Sequence, residues 1–263
     1  MCGIIGILPR PSTRSVPTSQ SIEELLTAAV NAGTDCVLIA DALMAADQLL
    51  RGDAGIQALV GNAQLIGRIT ACLDSIDVVA AAEEARVDAL HVDTATLDAE
   101  VARLSRVKDA SWAIRRDRLR AADAVHVFAG AGAGAGASSL VGYFAIHQAF
   151  SAIDRMEVRG RDSAGISVLV TSPSFASLSS ELTGLIAGRT SDPLFTNTSV
   201  RHSGSTLVFV YKAAAEIGEL GDNTKHMRDA VSADALLRAA LSVSDSRVAV
   251  LGHTRWASVG IIS

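Results

Sequence analysis

Residues 21–123 carry an almost unbroken helical pattern, and this block constrains the fold more than any other feature of the chain. Ser21 followed by Glu24 fits a capping box at its start. A connection rich in Pro, Ser and Thr precedes the block at 9–20, and a Gly/Ala run follows it at 130–136. The apolar periodicity predicts helices at about 22–31, 35–51, 54–73, 76–90 and 94–123.

The rest of the chain alternates strands with helices. Apolar runs predict a buried strand at 2–8 and further strands at 163–170, 206–211 and 247–251. Helices are predicted at 139–157 and at about 182–187, 213–219, 223–231 and 233–242, the last capped by Ser232 or Asp234. The prediction is an α+β fold in which residues 1–10 and 139–263 form one domain. Residues 11–138 form a helical insertion that ends in the Gly/Ala-rich linker.

Composition excludes several functional classes. The net charge is −5 and no basic stripe with interleaved aromatics occurs, so nucleic-acid binding is not expected. The three cysteines, Cys2, Cys36 and Cys72, are widely spaced and form no CxxC pair. They therefore predict neither a disulfide framework nor a metal site, and a reducing cytoplasm is the expected compartment. The run Arg115–Arg120 is charged and predicts a solvated helix face.

The stretch Ala124–Ile153 contains no Asp, Glu, Lys or Arg and is long enough to span a bilayer. Its Gly/Ala repeat, two histidines and a glutamine instead favour a soluble strand, a linker and a buried helix, with no membrane association. A GxGxxA match falls within Gly130–Ala135, but alternating Gly and Ala match many templates. No acidic residue ends a second strand about 20 residues on, so no dinucleotide or other cofactor is predicted.

Cys2 is the first candidate functional residue. If Met1 is removed, a step that the small second residue favours, Cys2 carries both a thiol and a free α-amine. An α-amine has a pKa near ~8 and can accept a proton from a thiol close to neutral pH. The alternative is a structural role, because most lone cysteines are inert apolar residues.

Three segments far apart in sequence extend this hypothesis: Cys2–Gly6, Met156–Ile166 and His253–Gly260. Together they resemble the glutaminase domain of class II glutamine amidotransferases, which are N-terminal nucleophile hydrolases. Within that group the resemblance is to the glucosamine-6-phosphate synthase family (glutamine–fructose-6-phosphate aminotransferase, isomerising). The segments occur in the family's order, and the matched parts cover about half the chain.

The resemblance implies that Cys2 attacks the side-chain amide of glutamine and forms a glutamyl thioester, with its own amine as base and acid. Arg255 matches the family residue that grips the α-carboxylate of glutamine, and a guanidinium fork suits a carboxylate. Trp256 matches the tryptophan that covers the glutamine site; its structural alternative is a core aromatic. Thr254 is expected at the substrate, and Thr254 and His253 are expected to position this loop.

The same resemblance assigns supporting roles in the second segment. Arg159 matches the arginine beside the nucleophile, and an ordinary ion pair with Asp162 is the structural alternative. Gly160 is expected at a turn that Asp162 helps to fix.

The implied fold is the four-layer αββα sandwich, here an incomplete copy with the helical insertion added. The implied reaction supplies ammonia to fructose 6-phosphate on synthase domains that this chain lacks. The Asn-Gly oxyanion pair and the amine-binding Asp of the family also have no counterpart after His253–Gly260. Alternatives are an amidophosphoribosyltransferase-type glutaminase, in which Tyr tends to follow the arginine, and a truncated chain without activity that acts as an interaction module. The insertion is expected to serve as a surface or homo-oligomer contact.

Overall fold

A computed structural model describes residues 2–10, 12–130, 135–160, 162–189, 196–214 and 219–256. The fold class is α+β. The chain divides into two compact units, one formed by residues 12–123 and the other by residues 1–11 together with 124–263.

The helical unit contains α1 (Ser19–Asn31), α2 (Cys36–Leu49), α3 (Gly52–Leu59), α4 (Ala63–Asp88) and α5 (Thr94–Ala113). Side-chain oxygens of Thr18, Asp35, Asn62 and Asp93 accept backbone N–H groups at the starts of α1, α2, α4 and α5. Such caps satisfy donors that a helix leaves without partners. The predicted cap at Ser21 is wrong, because α1 begins one turn earlier, at the Thr18 cap.

The helix boundaries in the middle of this unit also differ from the prediction. The predicted break between 73 and 76 is absent, and α4 is continuous across it. The chain instead breaks at Gly61, whose φ of +79° suits glycine, and Asn62 then caps α4. Apolar side chains on the facing sides of α1, α2 and α4 form the core, including Ile22, Leu26, Ile39, Leu43, Leu65 and Ile69.

A π-helical segment, Ile114–Leu119, joins α5 to α6 (Arg120–Ala129). Arg118 within it contacts the buried Asp47, with 2.8 Å between Nε and Oδ1. The run Arg115–Arg120 is therefore not a uniformly solvated face as predicted, because one of its cations compensates a buried carboxylate. Residues 125–129 are helical rather than the predicted strand. The Phe128 ring lies 6.0 Å from Tyr143 and 6.1 Å from Phe150, so the end of α6 packs inside the second unit to which it belongs.

The second unit is a five-stranded antiparallel sheet with helices. Its strands are β1 (Gly3–Ile7), β2 (Ser163–Thr171), β3 (Val200–Ser203), β4 (Thr206–Ala213) and β5 (Arg247–Arg255), in the spatial order β1-β5-β2-β4-β3. The helices are α7 (Ala137–Met156), α8 (Ser180–Ala187), α9 (Asp222–Ala233) and α10 (Ala235–Ser242). Asp234 caps α10 by accepting the Leu237 amide.

Three features of this sheet were not predicted. β3 is an additional edge strand. β4 runs through Ala213, where the predicted helix 213–219 would begin, and residues 215–218 of that prediction lie outside the described residues. β5 extends to Arg255, so His253 and Thr254 lie in a strand and not in a loop.

One face of the sheet packs against helices. α7 packs closely on β5 at Gly252, where an added Cβ atom would lie 3.1 Å from Ile153 of α7 and 2.9 Å from Ile5 of β1. On the opposite face Ile4 is 81% exposed, so β1 is a half-exposed edge strand and not the buried strand that was predicted. Within the described residues, no helix combines the length and the apolar character needed to cross a bilayer.

Candidate functional site

The sheet register brings the three sequence-remote segments to one end of the sheet. β5 lies between β1 and β2, with Thr254 opposite Gly3 on one side and opposite Ala164 on the other. Arg255 is opposite Ser163, and its carbonyl accepts the Asp162 amide at 3.2 Å. Segments separated by about 90 to 250 positions in the chain are thus adjacent through backbone pairing.

Cys2 is exposed and directly precedes β1. The next residue is held tightly, because the Gly3 amide donates to Thr254 Oγ1 at 3.2 Å. A Cβ atom at Gly3 would lie 2.5 Å from Met156 Sδ and 3.2 Å from Thr254 Oγ1. Glycine therefore allows β1 to approach the end of α7 closely, and this approach fixes the position from which Cys2 projects.

Thr254 is only 1% exposed, and its hydroxyl oxygen accepts the Gly3 amide. The residue therefore holds the end of β1, directly after Cys2, against β5. Its predicted contact with substrate stays a prediction.

His253 points to the other face of the sheet, since side chains alternate along a strand. A Cβ atom at Gly165 would lie 3.0 Å from His253 Nε2, so the imidazole lies over this glycine of β2. Burial of the ring lowers the pKa of His253, and the charges of Lys212 and Arg255 lower it further. The imidazole is therefore neutral around pH 7 and stands apart from the Gly3–Thr254 contact.

Arg255 is half-buried at the last position of β5. By the same alternation it lies on the face opposite Thr254. The outermost pair of β1 and β5 is Gly3 with Thr254, and Cys2 and Arg255 are the next residues beyond that pair. Trp256 follows and is 54% exposed, so it is not the core aromatic of the structural alternative.

The Glu157 side chain anchors the turn of the second segment, and the sequence pattern predicted no role for it. Glu157 is 1% exposed, and its carboxylate accepts the Gly221 amide at 2.6 Å and Asn223 Nδ2 at 3.3 Å. Both donors belong to the start of α9, where the helix dipole favours a negative charge. The sequence signal was an acidic residue directly after an apolar helix, but its partners lie more than 60 positions away.

The backbone after Glu157 leads into the predicted supporting residues Gly160 and Asp162. Glu157–Arg159 form a single 3-10 turn, and the Gly160 amide donates to the Glu157 carbonyl at 3.1 Å. Gly160 is buried, and Asp162 leads into β2 through its bond to Arg255. The predicted role of the Arg159 side chain, and the part of the third segment from 257 onward, lie outside the described residues.

The arrangement combines an exposed thiol with a guanidinium at the end of a neighbouring strand. A guanidinium suits a carboxylate, and a thiol suits an electrophilic carbonyl carbon. A small molecule with both groups matches this pair of side chains. Comparisons with protein-family models, with curated proteins and with solved structures gave no match.

Proposed function

We propose that the second unit is the glutaminase part of a glutamine-dependent amidotransferase. The observation that supports the proposal is that β1 and β5 pair at this end through Gly3 and Thr254, with Cys2 and Arg255 as the next residues on the two strands. The three segments that resemble the class II family meet at this end. The acceptor proposed from the same resemblance is fructose 6-phosphate, which a synthase domain outside this chain would convert to glucosamine 6-phosphate.

The proposed fold is that of the N-terminal nucleophile hydrolases. An antiparallel sheet with helices on one face corresponds to two of the four αββα layers. Ile4 and Leu251 are exposed on the other face, where the second sheet of such a sandwich packs.

The proposed reaction begins once Met1 has been removed. The free α-amine of Cys2 accepts the thiol proton, and the thiolate attacks the side-chain carbonyl carbon of glutamine. The C–N bond of the amide breaks, the protonated amine returns a proton to the departing nitrogen, and ammonia leaves. Water then cleaves the thioester and releases glutamate. Arg255 binds the α-carboxylate of glutamine throughout and sets the distance from carboxylate to thiol.

Ammonia release from glutamine tests the proposal on purified protein whose N-terminal residue has been verified as Cys2 by intact mass. We expect glutamine-dependent release that is lost in Cys2→Ala. Arg255→Lys should retain the positive charge but raise KM at least tenfold, because Lys lacks the bidentate fork. Equal release by wild type and Cys2→Ala, or no release by wild type, would contradict the proposed activity for this chain.

A further inference from the structure

The β1 strand lies at one edge of the sheet, so one side of its backbone has no partner among the described strands. Its sequence, Gly3–Ile7, contains no charged residue and no proline. Natural sheets protect an open edge with lysine, proline or other charged side chains, because the unpaired N–H and C=O groups attract a strand of another chain. β1 lacks this protection along its whole length.

The other edge of the same sheet is protected. β3 is only four residues long, and Arg201, His202 and Ser203 within it are exposed. Charged and polar side chains on a short edge strand disfavour pairing with another chain. The two edges therefore differ in composition, and that of β1 suits pairing with a further strand.

The exposed face of β1 combines a protruding side chain with a gap. Ile4 is 81% exposed, and Gly6, two residues further along, has no side chain. A Cβ atom at Gly6 would lie 3.6 Å from Leu251 and 3.9 Å from Leu8. Both leucines are exposed. Apolar groups thus border the gap at Gly6, and a side chain from an adjacent strand can lean into it.

The sequence of β1 is complementary to itself in an antiparallel arrangement. When two copies pair about a two-fold axis through Ile5, Ile4 of each copy lies opposite Gly6 of the other. Gly3 then lies opposite Ile7, so each of these large residues faces a small one. Residues directly opposite have Cβ atoms about 4.5–5.5 Å apart, so Ile4 reaches the gap at Gly6. Because the axis passes through a residue, the outward N–H and C=O groups of the two strands meet.

We propose that β1 pairs with β1 of a second copy of this chain and joins the two five-stranded sheets into one. This two-fold pairing occupies both β1 edges and leaves the protected β3 edges outside, so assembly stops at the dimer. One short strand from each chain makes a small interface, and the association is therefore weak and depends on protein concentration. The dimer is independent of the proposed glutaminase activity.

Sedimentation equilibrium of the full chain from micromolar to millimolar concentration, with reductant present to exclude disulfides, measures the association. We expect a monomer–dimer equilibrium without larger species. Ile4→Lys should weaken the dimer about tenfold, because it places a charge against the apolar groups that border Gly6. Val127→Lys is the matched control, because Val127 is 55% exposed but lies on α6 and not on an edge strand. It should leave the dimer constant unchanged.

Disulfide cross-linking tests the register. In a Cys2→Ser background, a mixture of Ile4→Cys protein and Gly6→Cys protein should form a disulfide between positions 4 and 6, which lie opposite each other. Each protein alone should cross-link through that position much more slowly. Like positions lie diagonally across the pair, about 7–8 Å apart, which is beyond the usual reach of a disulfide.

A chain that stays monomeric at every concentration would overturn the proposal. Association that Ile4→Lys and Val127→Lys change equally, or that continues beyond the dimer, would overturn it as well. So would a mixture of the two cysteine variants that cross-links no faster than either variant alone.

Discussion

The Thr254 side chain of β5 binds the backbone of Gly3, the residue next to Cys2. Its hydroxyl oxygen is the acceptor for the Gly3 amide, and its methyl side is buried. The contact spans almost the whole sequence, from the third residue to the last strand. This hydrogen bond therefore holds the start of β1, directly after Cys2, against β5.

Thr254→Val keeps the shape of the side chain and removes this oxygen. The loss of a hydrogen bond worth about 1 kcal/mol should speed hydrogen exchange of the Gly3 amide about fivefold. Thr254→Ser retains the oxygen and should leave the exchange rate near that of wild type. Two-dimensional NMR of the assigned amide measures both. Equal rates in the Val and Ser variants would show that the hydroxyl does not hold β1.

His253 leads to a second prediction at the residue scale, a dependence of folding stability on pH. Its pKa is lowered in the folded chain by burial and by Lys212 and Arg255, whereas an unfolded histidine titrates near about 6.5. The unfolded state therefore binds more protons over this range, and the folded state loses stability as the pH falls below about 6.5. The loss ends below the lowered pKa.

His253→Gln removes this titration. Urea unfolding between pH 7.5 and 5 should show a smaller decline in the free energy of unfolding for the variant than for wild type. A decline of the same size in both would mean that other groups account for the acid sensitivity.

At the scale of elements, the end of α7 contacts both α9 and β1 in the second unit. Its last turns contact the start of α9 through Asp154 and Glu157, and Met156 lies against Gly3. The backbone then turns directly into the segment that carries Gly160 and Asp162. The supporting half of the candidate site therefore depends on where α7 ends.

Glu157→Gln tests the contact between the end of α7 and the start of α9. The amide replaces a buried negative charge at the start of α9 and should lower the free energy of unfolding by about 1–2 kcal/mol. Glu219→Gln, an exposed acidic residue just before α9, is the control and should change it by less than about 0.5 kcal/mol. Denaturant titrations compare the two. Similar values for both variants would remove the anchoring role from Glu157.

Gly252→Ala tests the packing of α7 on the sheet. The added methyl would meet Ile5 at 2.9 Å, Ile153 at 3.1 Å and Ile166 at 3.3 Å, all from different elements. Overpacking of this kind costs about 1–3 kcal/mol. Adding Ile153→Val removes one of the three contacts and should restore part of the loss.

Gly6→Ala is the control on the same sheet, because its nearest neighbour, Leu251, would lie at an ordinary 3.6 Å. It should be close to neutral. A Gly252→Ala variant as stable as Gly6→Ala would contradict the close approach of α7.

Sequence patterns located the long elements, because apolar periodicity and caps such as Asp35 and Asp234 are local. They missed β3, a four-residue edge strand. Its polar sequence shows no strand pattern, and its extended conformation depends on pairing with β4. They ended β5 early for the same reason, since His253 and Thr254 are strand residues through their neighbours on both sides. Among the candidate site residues, motifs predict Cys2 and Arg255, whereas the contacts of Glu157 depend on distant partners at α9.

At the scale of the whole molecule, the candidate site lies in one of the two units, because every one of its residues falls in residues 1–11 or 124–263. The helical unit has its own core and its own buried ion pair between Asp47 and Arg118. The proposed chemistry therefore belongs to the sheet unit, with Cys2 as the proposed reactive thiol and Arg255 as the proposed carboxylate clamp.

The other two cysteines, Cys36 and Cys72, are internal controls for the reactivity of Cys2. Burial raises the pKa of Cys36, as do the charges of Glu83 and Asp35, and burial raises the pKa of Cys72. Both thiols are therefore less ionised at neutral pH than an ordinary exposed cysteine.

The most direct test is mass-spectrometric mapping of the cysteine modified by a glutamine analogue with an electrophilic carbon in place of the side-chain amide. The account predicts modification of Cys2 before Cys36 or Cys72, protection by free glutamine, and at least a tenfold slower rate in Arg255→Met. Modification of Cys36 at the same rate as Cys2, or a rate at Cys2 unchanged by glutamine and by Arg255→Met, would contradict it.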